Sequence, residues 1–118
     1  MKYLCLVYIE EQKHDALPRS EVQACIDESL DYDDALRKSG HYVASDALQP
    51  VQTATTIRIR DGKVFTADGP FAETKEQLGG FYLIEATDLD DAIQVASQIP
   101  PARLGCIEVR PIKERKRS

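Results

Sequence analysis

The stretch DGPFAETKEQLGG, Asp68–Gly80, sets carboxylates and a lysine among three Gly and one Pro, directly before the apolar run Phe81–Ile84. At a cleft, Asp68 can serve as a base or as a hydrogen-bond acceptor. Glu73 and Glu76 flank Lys75. If Thr74 caps a short helical turn and Gln77 completes the capping box, the two glutamates fall three apart on one face. Such a pair can hold a cation, or divide into acid and base when burial separates their pKa values. Lys75 or Arg58 can then stabilise developing negative charge. The same residues also make sense as a turn. Asp68 can bond nearby backbone N–H groups, Gly69 allows an unusual φ, Pro70 fixes φ, and Phe71 can pin the turn to the core. The candidate catalytic set is therefore Asp68, Glu73 and Lys75. Glu76, Arg58, His41 and Phe71 are candidate ligand-binding residues.

His14 sits in a polar loop and His41 follows Gly40. Either can titrate near neutrality, and His41 can reach towards Asp68 as an acid–base couple. Arg58 and Arg110 lie opposite apolar rows. They can clamp an anion or pair with Glu108 and Glu85. There is no GxSxG elbow, and Gly79-Gly80 precede a strand rather than a helix, unlike a phosphate loop. No closely paired zinc ligands occur, so no metal or other cofactor is expected.

The elements that position these residues follow from periodicity. Tyr3–Ile9 is unbroken apolar and reads as a strand buried on both faces. Glu10–Arg19 reads as a loop. Ser20 and Gln23 form a capping-box signature for a helix on which Val22, Ile26, Ser29, Asp33 and Leu36 share a stripe. Gly40 ends it. Tyr42–Leu48 is a second strand, closed by Pro50. Thr55–Arg60 and Lys63–Ala67 form a hairpin around Asp61-Gly62. Phe81–Ala86 is a strand. Asp88 caps a helix over Leu89–Gln98, with Ala92, Ile93, Ala96 and Ile99 on one face, and Pro100-Pro101 stop it. Ile107 and Val109 alternate with Glu108 and Arg110 in a last strand.

This order is α+β, a ferredoxin-like split βαβ with an inserted hairpin. Two helices cover one face of such a sheet, yet two strands are apolar on both. The pattern predicts a homodimer with sheets face to face and clefts at the edges of the space between them.

A chain of 118 residues, 42% hydrophobic, fits one domain over residues 1–112 with a frayed basic tail over 113–118. The tail Lys113–Ser118 has four basic and one acidic residue, so of the net charge of −5, −8 resides on residues 1–112. An acidic body argues against nucleic-acid binding. No apolar run is long enough to span a membrane and no signal peptide is evident, so the expected location is cytoplasmic. Cys5, Cys25 and Cys106 are distant and odd in number, which suits buried, reduced thiols.

The run Asp68-Gly69-Pro70-Phe71, Ala72-Glu73-Thr74-Lys75-Glu76 and Leu78–Glu85 resembles the DGPF branch of the YCII-related proteins. So do the flanking Leu36 with Ser39-Gly40, Leu48-Gln49-Pro50, Asp91-Ala92-Ile93 and Ile107–Pro111. The resemblance implies a bacterial protein, a dimeric α+β barrel, and an association with extracytoplasmic-function sigma factors. The better-studied branch uses a His on the first helix and an Asp after the second. Here Ser20–Ser39 contains no His, and Ile99–Arg103 contains no Asp. Three functions fit: a binder of a small polar ligand in a dimer cleft, accessory to sigma-factor regulation; a small acid–base enzyme acting on a polar metabolite; or a structural docking partner.

Overall fold

The structure, a computed structural model, describes residues 1–117. Its elements are β1 (Lys2–Ile9), α1 (Glu11–Asp15), α2 (Arg19–Ser39), β2 (Tyr42–Ala47), β3 (Thr55–Arg60), β4 (Lys63–Asp68), β5 (Gln77–Glu85), α3 (Leu89–Ala96) and β6 (Gly105–Pro111). Short 3₁₀ turns cover Val51–Thr53 and Pro100–Leu104. The class is α+β. Four strands form an open antiparallel sheet in the order β2-β5-β1-β6, and β3-β4 form a separate hairpin arm.

Register decides which side chains meet the helices. Tyr3, Cys5 and Val7 stand opposite Ile84, Tyr82 and Gly80. All six are buried, and the five with side chains join Leu36, Ala92, Val95, Ala96 and Ile99 in one core. On the other face Leu4 and Leu6 stand opposite Leu83 and Phe81, and all four are only half-buried. β1 and β5 are thus buried on one face within a single chain, not on both as their unbroken apolar runs predict. The molecule measures 50 × 48 × 19 Å. Its thin dimension is that of one helical layer on one sheet.

Several boundaries are local decisions. Gly40 takes φ +83° and closes α2, with the His41 N–H donating to the Leu36 carbonyl at 2.9 Å. Asp61 and Gly62 take φ of 51° and 75°, the two left-handed residues of a tight hairpin turn. The Asp88 carboxylate accepts the Asp91 N–H at 2.9 Å and caps α3.

Other boundaries are tertiary and differ from the sequence pattern. The Glu10–Arg19 loop contains α1, whose first turn forms as the Lys13 and His14 N–H groups donate to the Glu10 carbonyl. α2 starts at Arg19 rather than Ser20. The Pro18 carbonyl takes the Glu21 and Val22 N–H groups, and no side chain caps the helix. β5 begins at Gln77, before Phe81, because Gly80 lets β2 approach: a Cβ there would stand 2.8 Å from the Asp46 carbonyl oxygen. On α3, Val95 is buried while Ile93 is exposed. Of the three cysteines only Cys5 is fully buried, and burial pushes its thiol up to about 11. Cys25 is half-buried and Cys106 exposed, contrary to the expectation of three buried thiols. Among the described residues no helix is long and apolar enough to cross a membrane.

Candidate functional site

The hairpin arm leaves the sheet through two connections, 48–54 and 69–76, and a cleft of about 1240 Å³ opens between them and the ends of β1 and β5. Hydrogen bonds from three directions hold its walls. The Gly69 N–H donates to the Ala54 carbonyl at 2.7 Å, and Thr56 Oγ1 donates to the Gly69 carbonyl at 2.8 Å. The Leu48 N–H donates to the Gly79 carbonyl at 2.9 Å. Gln77 is the central brace. Its Oε1 accepts the Glu11 N–H at 3.0 Å, while its Nε2 donates to the Thr74 carbonyl. Glu11 in turn accepts the Val51 N–H at 3.1 Å. The turn, α1 and the 48–54 connection are therefore one hydrogen-bonded unit.

Of the residues singled out by sequence, Asp68, Phe71 and Glu73 line this cleft together with Tyr8 and Leu78. Asp68 ends β4 and is exposed. Phe71 is 81% exposed and so does not pin the turn to the core. No helical turn forms over Thr74–Gln77. Thr74 Oγ1 instead donates to the Glu76 carbonyl, so the capping box and the shared helical face of Glu73 and Glu76 are absent. The physical reason is that Gln77 is drawn into β5 opposite Ile9.

The remaining candidates lie elsewhere. Lys75 is exposed and outside the cleft lining. Glu76 turns towards β6, where Cys106 Sγ is 3.7 Å from its Oε1. That carboxylate, after desolvation, helps raise the Cys106 thiol. Arg58 projects from the arm opposite Phe65 and away from Ile57 and Ile59. His41 does not approach Asp68. Its Nε2 lies 3.1 Å from Asp91 and its Nδ1 2.7 Å from Ser39 Oγ, because Gly40 turns the chain towards α3. Arg110 bonds Glu108 two residues back along β6 at 2.5 Å, while Glu85 takes the N-terminal ammonium at 3.1 Å. Among the described residues no group of three or more His, Cys, Asp or Glu is placed to hold a metal ion.

The cleft shares a side with the apolar sheet face. Tyr8 stands opposite Cys106 and Leu78, in the same row as Leu6 and Leu4. Chemically, its carboxylates are wet acceptors suited to hydrogen-bond donors or cations, set beside an aromatic ring with no cover.

Sequence reasoning passed over one polar residue. Asp33, on α2, is 9% exposed. Its Oδ2 accepts from Ser45 Oγ at 3.3 Å, and Ser45 Oγ also meets Tyr42 OH at 3.0 Å. Its Oδ1 is buried with no hydrogen-bond partner among the described residues, an arrangement that costs about 1–3 kcal/mol. Burial first, and then the adjoining Asp33 carboxylate, hold the Tyr82 phenol protonated far above its ordinary value. The signal was available, since Asp33 falls on the apolar stripe of its helix, where an acidic residue is out of place.

The chain as a whole matches known proteins. The profile of the YCII-related domain covers residues 1–116. An uncharacterised protein of Rhizobium meliloti (strain 1021), R00369, is 35% identical over 114 residues, spanning 95% of this chain and 92% of that protein. The chain belongs to the YCII-related family.

Proposed function

We propose that the protein works as a homodimer that binds a small polar ligand at the foot of the hairpin arm. The observation that carries this reading is the uncovered apolar row Leu4, Leu6, Phe81 and Leu83, continuous with a cleft lined by Tyr8 and Leu78. A contiguous apolar sheet face is rarely left in water. The strand order β2-β5-β1-β6 supports a ferredoxin-like split βαβ. Two such sheets placed face to face by a two-fold axis cover one another and give a dimeric α+β barrel. The arm supports the same arrangement. Ile57, Ile59 and Val64 share one of its faces at 61%, 63% and 66% exposure. A lone two-stranded hairpin is marginal in water, so a second chain is the natural cover. The cleft then lies at the rim of the interface. There a partner removes water from Asp68 and Glu73, and Phe71 closes over the ligand.

The test combines molar mass in solution with a thermal-shift screen of polar metabolites, run beside Asp68→Asn and Glu73→Gln. The expected result is a dimer, with a ligand whose stabilisation either variant abolishes without unfolding. A monomer at tens of micromolar, or no ligand in a broad library, overturns the reading.

The exposure of the turn supports a second reading. Residues 70–75 all face solvent, as a docking surface for a protein such as a sigma factor requires. In that case Phe71→Ala weakens capture of the partner while leaving the molar mass unchanged.

A further inference from the structure

α2 does not seal onto the sheet along its length. Only Asp33 and Leu36 are buried on it, both in its C-terminal half, while Ile26 and Leu30 are 47% and 57% exposed. Beneath the N-terminal half a cavity of about 560 Å³ separates the helix from Val7, Gly80 and Tyr82 of the sheet. That is the size of a small-molecule site. It lies on the helix face and is complete within one chain, adjoining the cleft at the arm only through Leu48 and Pro50.

Two independent features give it a chemistry. Asp33 lines it and carries the buried Oδ1 that accepts no hydrogen bond, while Ser45 donates to Oδ2 and the Tyr82 phenol adjoins the same carboxylate. An acceptor held in an apolar wall by one oxygen is a preorganised mate for a donor. The lining also has three carboxyl side chains, Glu11, Asp15 and Asp33, with His14 beside Asp15, and neither Lys nor Arg. The remaining wall is largely aliphatic, from Val7 and Ile9 to Val22, Ile26 and Leu30. We infer that the cavity is a second ligand site, which takes a small, mainly apolar molecule bearing a protonated amine. The ammonium meets Asp33 and the apolar body lies under α2. The acidic mouth attracts the cation and rejects organic anions of the same size.

The test uses phenethylamine and the size-matched anion 3-phenylpropionate as probes, titrated into the ¹⁵N-labelled full chain. Phenethylamine is expected to bind saturably and shift amides over Val22–Leu30 and at Ser45. It should also protect Cys25, which lines the cavity, from N-ethylmaleimide. 3-Phenylpropionate should do neither. Asp33→Asn should weaken the amine about tenfold or more, the loss of a charge-assisted hydrogen bond. Leu30→Trp, which fills the cavity from an exposed helical position, should abolish binding even if Asp33→Asn fails to fold. No saturable binding in the millimolar range, equal binding of amine and anion, undiminished binding to either variant, or shifts confined to 48–56 and 68–77 each overturns the inference. The last pattern would place the amine in the arm cleft instead.

Discussion

His41 Nε2 stands 3.1 Å from both carboxylate oxygens of Asp91, joining the residue ahead of β2 to the first turn of α3. Asp91 also accepts the Thr87 N–H at 3.0 Å. The Thr87 backbone first, and then His41, hold the Asp91 carboxyl below its ordinary 3.8. Its position at a helix N-terminus acts in the same direction. A depressed folded-state value contributes stability that is complete above the unfolded value, near 3.8, and lost as pH falls through the folded one. Asp91→Asn is therefore expected to be less stable than the parent at neutral pH, with the gap closing below about pH 4. Urea midpoints measured from pH 7 to pH 2 check this. A gap that stays constant to the acid limit removes the linkage.

Gly105 opens β6 opposite Ile9, and a Cβ added to it would run into the Tyr8 carbonyl oxygen, with Glu76 Oε2 at 2.8 Å. The obstacle is backbone in the central strand, so no rotamer relieves it. Gly105→Ala is expected to cost roughly 1–3 kcal/mol, an overpacking penalty. At about 4 °C or more per kcal/mol, the melting temperature should fall visibly. An unchanged melting temperature means that β1 and β6 separate at no cost.

Much of the fold was legible because its signals are short-range. Gly40, Asp61-Gly62 and Asp88 act within a few residues of themselves, and each does what its type requires. Ser20 failed as a cap because Pro18, two residues earlier, had already turned the chain. Gln77 as a capping-box residue and His41 as a partner of Asp68 failed for a different reason. Their partners, Glu11 and Asp91, are distant in sequence and are brought close only by strand pairing and helix docking. Phe71 was misjudged because an aromatic in a turn is equally suited to a core and to a partner. Asp33 was visible as a misfit on an apolar stripe, but its meaning depends on a cavity that no periodicity reveals.

The uncovered sheet face makes a sharp prediction. Phe81→Glu puts a charge amid Leu4, Leu6 and Leu83 and is expected to halve the molar mass in solution. Leu89→Glu, at a 50% exposed position on α3, should leave it unchanged. Multi-angle light scattering during gel filtration distinguishes them. A dimeric Phe81→Glu would move the interface away from this face.

The arm should register the same event. If a second chain covers Ile57, Ile59 and Val64, the β3 and β4 amides exchange slowly in the parent dimer and quickly in monomeric Phe81→Glu. The β1 and β5 amides, protected by the core, should differ far less. Slow exchange of the arm in both proteins would mean that the hairpin is stable alone.

The last prediction concerns the cost of keeping Asp33. An acceptor buried without a donor destabilises the fold, whereas an aliphatic side chain of similar size beside Val7 and Tyr82 does not. Ser45 keeps Tyr42 as a partner after the carboxylate is removed. Asp33→Leu is therefore expected to match or exceed the parent in stability, by up to about 1–2 kcal/mol. It should also lose phenethylamine binding. Stability gained where binding is lost is the signature of a residue kept for a site rather than for the fold. Chemical denaturation and the amine titration, run on the same sample, read both quantities. If Asp33→Leu is instead destabilised by several kcal/mol, the Ser45–Asp33 contact is structural, and the cavity must be explained without it.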